Sequence, residues 1–244
     1  MRAMLSDRVI FIDGEAIVVD KPAGLPVDPP RDGSLSVENH LSTLAFGFQR
    51  WPTPVHRLDR DTSGCLLLAR NPKAHKRFAQ AFEAGQVAKE YLAVVEGVPE
   101  TEDGTIALAL SKISTREKGW RMILAKKGQS AVTHWTRLAV HDGRALILFR
   151  PETGRTHQLR VHAASGLGTP IVGDPIYGRG GSAMLLHASR IRMERAGKKP
   201  VEAAARLPDS FAKAGFVYEV AGATGPVDTS GPVNADAAEA EVDG

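Results

Sequence analysis

The chain has 244 residues, 43% of them hydrophobic and 24% charged, enough apolar material for a substantial core, which excludes a wholly disordered protein. No run approaches the roughly 18–20 uncharged apolar residues of a membrane helix, and Asp7 interrupts the start where a secretory signal carries its apolar stretch, so a soluble cytoplasmic chain is expected. The net charge of +3 is uneven: Asp228, Asp236, Glu239, Glu241 and Asp243 crowd the end, leaving 31 basic against 23 acidic residues in 1–220, a net +8 that suits either a polyanion or a well-solvated surface.

In chain order, apolar runs at 9–11 and 16–19 flank Asp13-Gly14 and predict a hairpin with a type I′ turn. Lys21-Pro22-Ala23-Gly24-Leu25-Pro26 cannot continue a central strand and predicts a loop leaving the sheet, where Lys21 reaches either ligand or solvent. The apolar run Cys65–Ala69 predicts a buried strand. Residues 72–84 predict a helix: Asn71 can cap, Pro72 suits the first turn, Phe78 and Phe82 share a face, and Gly85 can end it. A strand follows over 88–95, and residues 131–140 and 144–149 predict a second hairpin through Asp142-Gly143. Residues 156–165 suit a short helix ended by Gly166. Together these elements predict an α+β fold, a mixed and largely antiparallel central sheet with flanking helices, over residues 1–220. The last 24 residues, 221–244, have no aromatic side chain and no Lys or Arg, and predict a disordered acidic tail.

Several common machines lack their sequence signals. No phosphate-binding Gly-x-x-x-x-Gly-Lys loop, dinucleotide Gly-x-Gly-x-x-Gly or Gly-x-Ser-x-Gly elbow is present. The single cysteine, Cys65, excludes a disulfide framework and a cysteine-based zinc cage, and reads as a small apolar residue. His157 and His162, five apart, diverge by roughly 140° around a helix and sit on opposite faces of a strand, so no metal site is expected.

Two clusters remain. His56-Arg57-Leu58-Asp59-Arg60-Asp61-Thr62-Ser63-Gly64 packs ionisable and hydroxyl side chains just before the buried strand, either as an Arg–Asp pair pinning a turn or as a site at a sheet edge. Thr153-Gly154-Arg155-Thr156-His157-Gln158-Leu159-Arg160-Val161-His162 offers Arg, Thr and Gln donors for an anion, or a solvated basic face.

These two segments, with Lys89-Glu90-Tyr91, Gly173-Asp174-Pro175-Ile176-Tyr177-Gly178, Leu186-His187-Ala188 and the opening Asp20-Lys21-Pro22-Ala23-Gly24-Leu25, resemble the RluA-like family of RNA pseudouridine synthases over residues 8–210. The resemblance implies an enzyme that detaches uracil from its ribose within RNA, turns it and rejoins it through carbon, with no cofactor or metal. It implies catalytic roles for Asp59 as the essential aspartate, Tyr91 as the tyrosine packed on the target base and Arg160 as the partner of the aspartate. Arg57 matches a residue that enters the RNA stack where the base has left. His56, Thr62, Arg155, Gln158 and Lys21 complete the expected RNA contacts. The start near residue 8 leaves no room for the S4 RNA-binding domain of many relatives, and Ala205-Arg206-Leu207-Pro208 departs from their usual Ala-Pro-Leu-Pro. The partner implied is structured transfer or ribosomal RNA, with no membrane and no obligate protein partner, and a monomer is expected. A non-catalytic RNA-binding protein and a glycosidic hydrolase are the rival readings; the presence of Asp59, Tyr91 and Arg160 weighs against the first.

Overall fold

Short β-branched runs separated by turn residues make hairpins the dominant unit. The computed structural model describes residues 4–117, 119–227 and 229. β1 (Val9–Ile12) and β2 (Ala16–Lys21) pair antiparallel, but their turn is not type I′, because neither Asp13 nor Gly14 takes a positive φ. The Asp13 carboxylate instead accepts the Glu15 and Ala16 N–H groups, each at 2.8 Å, and so closes the turn with ordinary backbone angles.

β3 (Thr53–Pro54) is a short edge against the far end of β4 (Ser63–Ala69), and all of β4 is buried. α1 (Pro72–Glu83) begins as its sequence dictates: the Asn71 side chain accepts the Ala74 N–H at 2.8 Å. Its Phe78 packs against Leu67 of β4, and β5 (Val87–Val95) follows. Turn chemistry and alternation predict nothing between β5 and residue 131, yet three strands form there. β6 (Asp103–Ala107) joins the main sheet, while β7 (Leu110–Thr115) and β8 (Gly119–Leu124) make a separate two-stranded hairpin. β9 (Val132–His141) and β10 (Arg144–Pro151) turn through Asp142 at φ 49° and Gly143 at φ 68°, the left-handed pair expected of Asp-Gly. After the segment 152–185 come β11 (Leu186–Arg195) and its hairpin partner β12 (Lys198–Ala204).

The main sheet runs β1-β2-β4-β11-β5-β10-β9-β6, with β12 beside β11 and β3 beside β4. Among the described strands only β4 and β11 pair in parallel, with Ser63 opposite His187 and Gly64 opposite Ala188. Gly64 sits there at φ 104°, and a Cβ on it would stand 2.2 Å from the Ala188 carbonyl oxygen, so the backbones meet only because this residue has no side chain. The expected mixed, largely antiparallel sheet with few helices is therefore the observed one.

The C-terminal region corrects one boundary. Beyond a short helix at Asp209–Lys213, the chain stays attached past residue 220: Ala223 packs against the Phe211 and Phe216 cluster, and the Val227 N–H donates to the Val9 carbonyl at 2.8 Å. A hydrogen bond to edge strand β1 therefore holds seven residues assigned to the tail. The remaining acidic stretch lies outside the described residues. No helix among the described residues is long and apolar enough to cross a membrane.

Candidate active site

Asp59 stands in the loop entering β4, and the chain around it is fixed by backbone groups. The Asp59 carbonyl accepts the Thr62 N–H at 3.1 Å. Lys21, the last residue of β2, has no exposed surface; its Nζ donates to the carbonyls of Pro22, Leu25 and Arg60 at 3.0, 2.8 and 3.0 Å. Three carbonyls match the three donors of an ammonium, which lets a lysine be buried. Burial pushes its pKa down to about 7 against the pull of Asp61 and Asp59. Lys21 thus reaches neither solvent nor RNA; it ties the 22–25 loop to the loop carrying Asp59.

Burial corrects the expected contacts at Thr62 and Gln158, while His56 is half-buried on the cleft wall with a ring face and Nε2 committed to the protein's own groups. The His56 ring stacks on Phe82 at 4.5 Å, and its Nε2 accepts the Leu67 N–H at 3.0 Å, which requires an unprotonated nitrogen; burial pushes its pKa down to about 3. Thr62 is buried. Gln158 is buried as well, its Oε1 accepting from Thr153 Oγ1 and the Arg155 N–H, its Nε2 donating to the Val132 carbonyl and Thr133 Oγ1. All of its amide capacity goes to holding the loop that precedes the helix. Arg57 and Arg155 remain exposed on the cleft wall: Arg57 pairs with Asp28 at 2.9 Å, and Arg155 Nε donates to the Ser130 carbonyl.

The expected helix over 156–165 starts two residues late. His157 takes φ 53°, so α2 (Gln158–Val161) begins after it and passes into a π-helical turn at His162–Gly166. α2 carries Arg160 into the site, 101 residues from Asp59 in sequence, with Nη1 donating to Asp59 Oδ2 at 3.0 Å. Its main partner is another residue. Arg160 Nε and Nη2 donate to Asp174 Oδ2 and Oδ1 at 2.7 and 2.8 Å, a bidentate pair in which Asp174 has no exposed surface. Asp174 Oδ1 also accepts the Ile176 and Tyr177 N–H groups at 2.8 and 3.0 Å. Burial raises the Asp174 pKa, but the guanidinium and these bonds outweigh it and hold the carboxyl below its usual range. The preceding Gly173, at φ 76°, has the Ala183 carbonyl oxygen 2.3 Å from where a Cβ would stand.

This arrangement has a chemical consequence. Among the described residues the one hydrogen bond to the Asp59 carboxylate falls on Oδ2, which leaves Oδ1 without a protein partner on a residue that lines the cleft. Arg160 keeps its own buried counterion, so Asp59 can lose its charge without leaving an uncompensated buried cation. Tyr91 lines the same cleft from β5, packed beside Leu58 and Ala188 on one side and Phe149 and Leu186 on the other. Burial, reinforced by Asp59, pushes its phenol well above the ordinary tyrosine range, so the hydroxyl keeps its proton. The cleft measures about 2100 Å³, room for several nucleotides rather than a lone small metabolite. Among the described residues no cluster of His, Cys, Asp or Glu is placed to hold a metal ion.

Residues 15–165, more than half of the chain, match the RNA pseudouridylate synthase family. The chain belongs to this family. An uncharacterized RNA pseudouridine synthase of Zymomonas mobilis is 60% identical to this pseudouridine synthase over 217 residues, spanning 87% of this chain and 99% of that protein. The ribosomal large subunit pseudouridine synthase C of Rickettsia prowazekii is 34% identical across 87% of this chain and 72% of its own length. Human RNA pseudouridylate synthase domain containing 4 superposes with a TM-score of 0.71 at 26% identity, covering 85% of this chain and 91% of that one. The fold is the pseudouridine synthase fold, and the reaction class is isomerisation within RNA.

Sequence reasoning on this pseudouridine synthase missed Asp174, Tyr177, His157 and Trp120 as site residues. Asp174 and Tyr177 lay in a matched segment with no role attached. Their signal was the Gly-Asp-Pro turn, in which a carboxylate caps its own backbone. Trp120 lies on β8 with Lys112 5.1 Å from its ring centroid, an aromatic residue among cations, the usual pattern at a nucleic-acid surface.

Proposed function

We infer that this enzyme converts a uridine in structured ribosomal or transfer RNA to pseudouridine, with Asp59 as the essential carboxylate, Arg160 as its partner and Tyr91 against the target base. The observation that carries the reading is the chain Asp59–Arg160–Asp174, which leaves one oxygen of a half-buried carboxylate free in an RNA-sized cleft. The reaction breaks the bond between N1 and C1′, forms one between C5 and C1′, moves the C5 proton off carbon and leaves one on N1. Asp59 serves either by attacking C1′ or by taking the 2′ proton, and both need it ionised. Stacked uracil hides C5, so the nucleotide must be extruded at a cost of about a few kcal/mol, offset by the Tyr91 face and by exposed Arg57 filling the gap. The freed base must stay in place, which favours a site closed to water. The name of the Rickettsia relative supports large-subunit ribosomal RNA as the first RNA to test.

The test is pseudouridine mapping of total RNA from cells with and without the protein, followed by conversion of the mapped stem-loop by purified variants. Asp59→Asn is expected to bind this RNA and convert none of it, while Asp61→Asn, with no bond to the Arg160 network, stays active. Conversion by a folded Asp59→Asn protein, or release of free uracil in place of rearranged uridine, refutes the assignment.

A further inference from the structure

His157 has no part in the reading above, yet its ring lies inside the site. Only 7% of its side chain is exposed, and Nε2 faces Asp59 Oδ2 at 3.8 Å, the same oxygen that Arg160 holds. Trp120 stacks on one side of the ring with centroids 4.9 Å apart, and Tyr177 meets it edge-on at 5.6 Å. The left-handed backbone at His157, a conformation uncommon for a side chain of this size, is what turns the ring between these two aromatics.

The hydrogen-bond network favours one place for the ring proton. The Met122 N–H of β8 donates to Tyr177 Oη at 2.9 Å, and Tyr177 Oη lies 2.9 Å from His157 Nδ1. A backbone N–H can only donate, so the phenol accepts from Met122 and has its own proton left for Nδ1. An imidazole that accepts at Nδ1 carries its proton on Nε2, aimed at Asp59. Three charged groups face the ring: the Asp59 carboxylate, the Arg160 guanidinium and the Asp174 carboxylate, while the Lys112 ammonium sits over Trp120 beyond. Burial dominates among them and holds His157 below its ordinary range, which keeps the ring neutral at neutral pH.

The geometry points to His157 as a positioning residue for Asp59: its ring, held between Trp120 of β8 and Tyr177, directs an Nε2–H at Oδ2 and leaves Oδ1 to react. This rests on Asp59 being the catalytic carboxylate. At 3.8 Å the contact is longer than a hydrogen bond, and such contacts shorten when substrate closes a site. Trp120 is half exposed on the cleft wall, so RNA bound in the cleft reaches the ring through it. A neutral donor steadies the carboxylate without adding a second full cation that would quench its reactivity.

Two measurements test this on the full chain. Nitrogen-15 NMR of histidine-labelled protein at pH 7, with the His157 signals identified by their loss in His157→Phe, is expected to show a protonated Nε2 and a bare Nδ1. A protonated Nδ1, or a doubly protonated ring, overturns the proposal whatever the variants do. In steady-state conversion of the mapped stem-loop, His157→Phe keeps a ring between Trp120 and Tyr177 but lacks the N–H. Its kcat is expected to fall roughly 10- to 100-fold with KM nearly unchanged, the size typical of an orienting partner. His157→Gln, which restores a side-chain N–H, should recover part of that loss. Parental kcat in His157→Phe, a loss confined to KM, or Gln no better than Phe overturns the proposal. Asp59→Asn run alongside separates the failures: if it is inactive and His157→Phe is not, only the role of His157 falls, and if it is active both readings fall.

Discussion

Asp174→Asn is the sharpest test of how the site is built. The aspartate accepts four hydrogen bonds, three at Oδ1 from Arg160 Nη2 and the Ile176 and Tyr177 N–H groups, and one at Oδ2 from Arg160 Nε. An asparagine must keep its oxygen at the Oδ1 position to satisfy the two backbone donors, which puts its NH2 where Oδ2 was, 2.7 Å from Arg160 Nε. Two donors then face each other, and a buried guanidinium loses its counterion. Removing one partner of a buried pair costs about 3–5 kcal/mol, which for a domain of this size lowers Tm by roughly 6–20 °C. Asp59 cannot fully replace the lost charge, since a single bond from Nη1 links it to Arg160. Chemical denaturation monitored by fluorescence measures the stability, and conversion well below the lowered Tm measures the site, where kcat should fall with Arg160 unanchored. A variant within about 1 kcal/mol of the parent and equally active would refute the account of Asp174 as the anchor. The same geometry makes Asp59→Asn the milder change for stability. The guanidinium keeps its bidentate partner there, so no buried cation is stranded.

Tyr91→Phe should retain RNA affinity while Tyr91→Ala loses the ~1–3 kcal/mol of a stacked base, measured by fluorescence anisotropy on a target stem-loop; equal binding by both means the ring does not meet the base. Truncation after Val227 should leave stability within about 0.5 kcal/mol of the parent, whereas truncation after Val220 removes the Val227–Val9 bond and the Ala223 contact and should lower it by roughly 1–2 kcal/mol in urea denaturation. His187, fully buried between Ser63 Oγ and the Ala205 carbonyl, has its pKa pushed down to about 4 by burial. The unfolded chain therefore binds more protons as pH falls from about 6.5 toward 4, and the fold should lose up to roughly 3 kcal/mol over that window; a His187→Gln protein should show a shallower decline in urea melts across the same range.

Local chemistry made some of this fold readable and hid the rest. Asp142-Gly143 turned as its residues prefer because nothing competes for them, whereas Asp13 has two backbone N–H groups and Arg195 to satisfy, and the same dipeptide closes a different turn. The motif segments bring Asp59 and Arg160 together, yet Lys21, Thr62 and Gln158, expected beside them as RNA contacts, are interior residues. A polar side chain inside a site motif has two uses, to face the ligand or to hold the loops that do, and only burial tells them apart. Asp174 was hidden for a related reason: its role depends on Arg160, and no pattern in a single sequence shows which residues face one another across a fold.

The position of β11 also bears on how the chain reaches this state. β11 is inserted between β4 and β5, two strands synthesised about a hundred residues earlier. Until it emerges from the ribosome, the Ser63-Gly64 end of β4 and the facing edge of β5 have no partner, and the β1-β2-β4 and β5-β10-β9-β6 halves cannot join into one sheet. Such long-range closure is slow and leaves sticky edges exposed, so the nascent chain is at its most aggregation-prone just before β11 appears. The same order of events delays function: a growing polypeptide surrounded by RNA cannot modify it prematurely, because the groove between the halves exists only after β11 has been made.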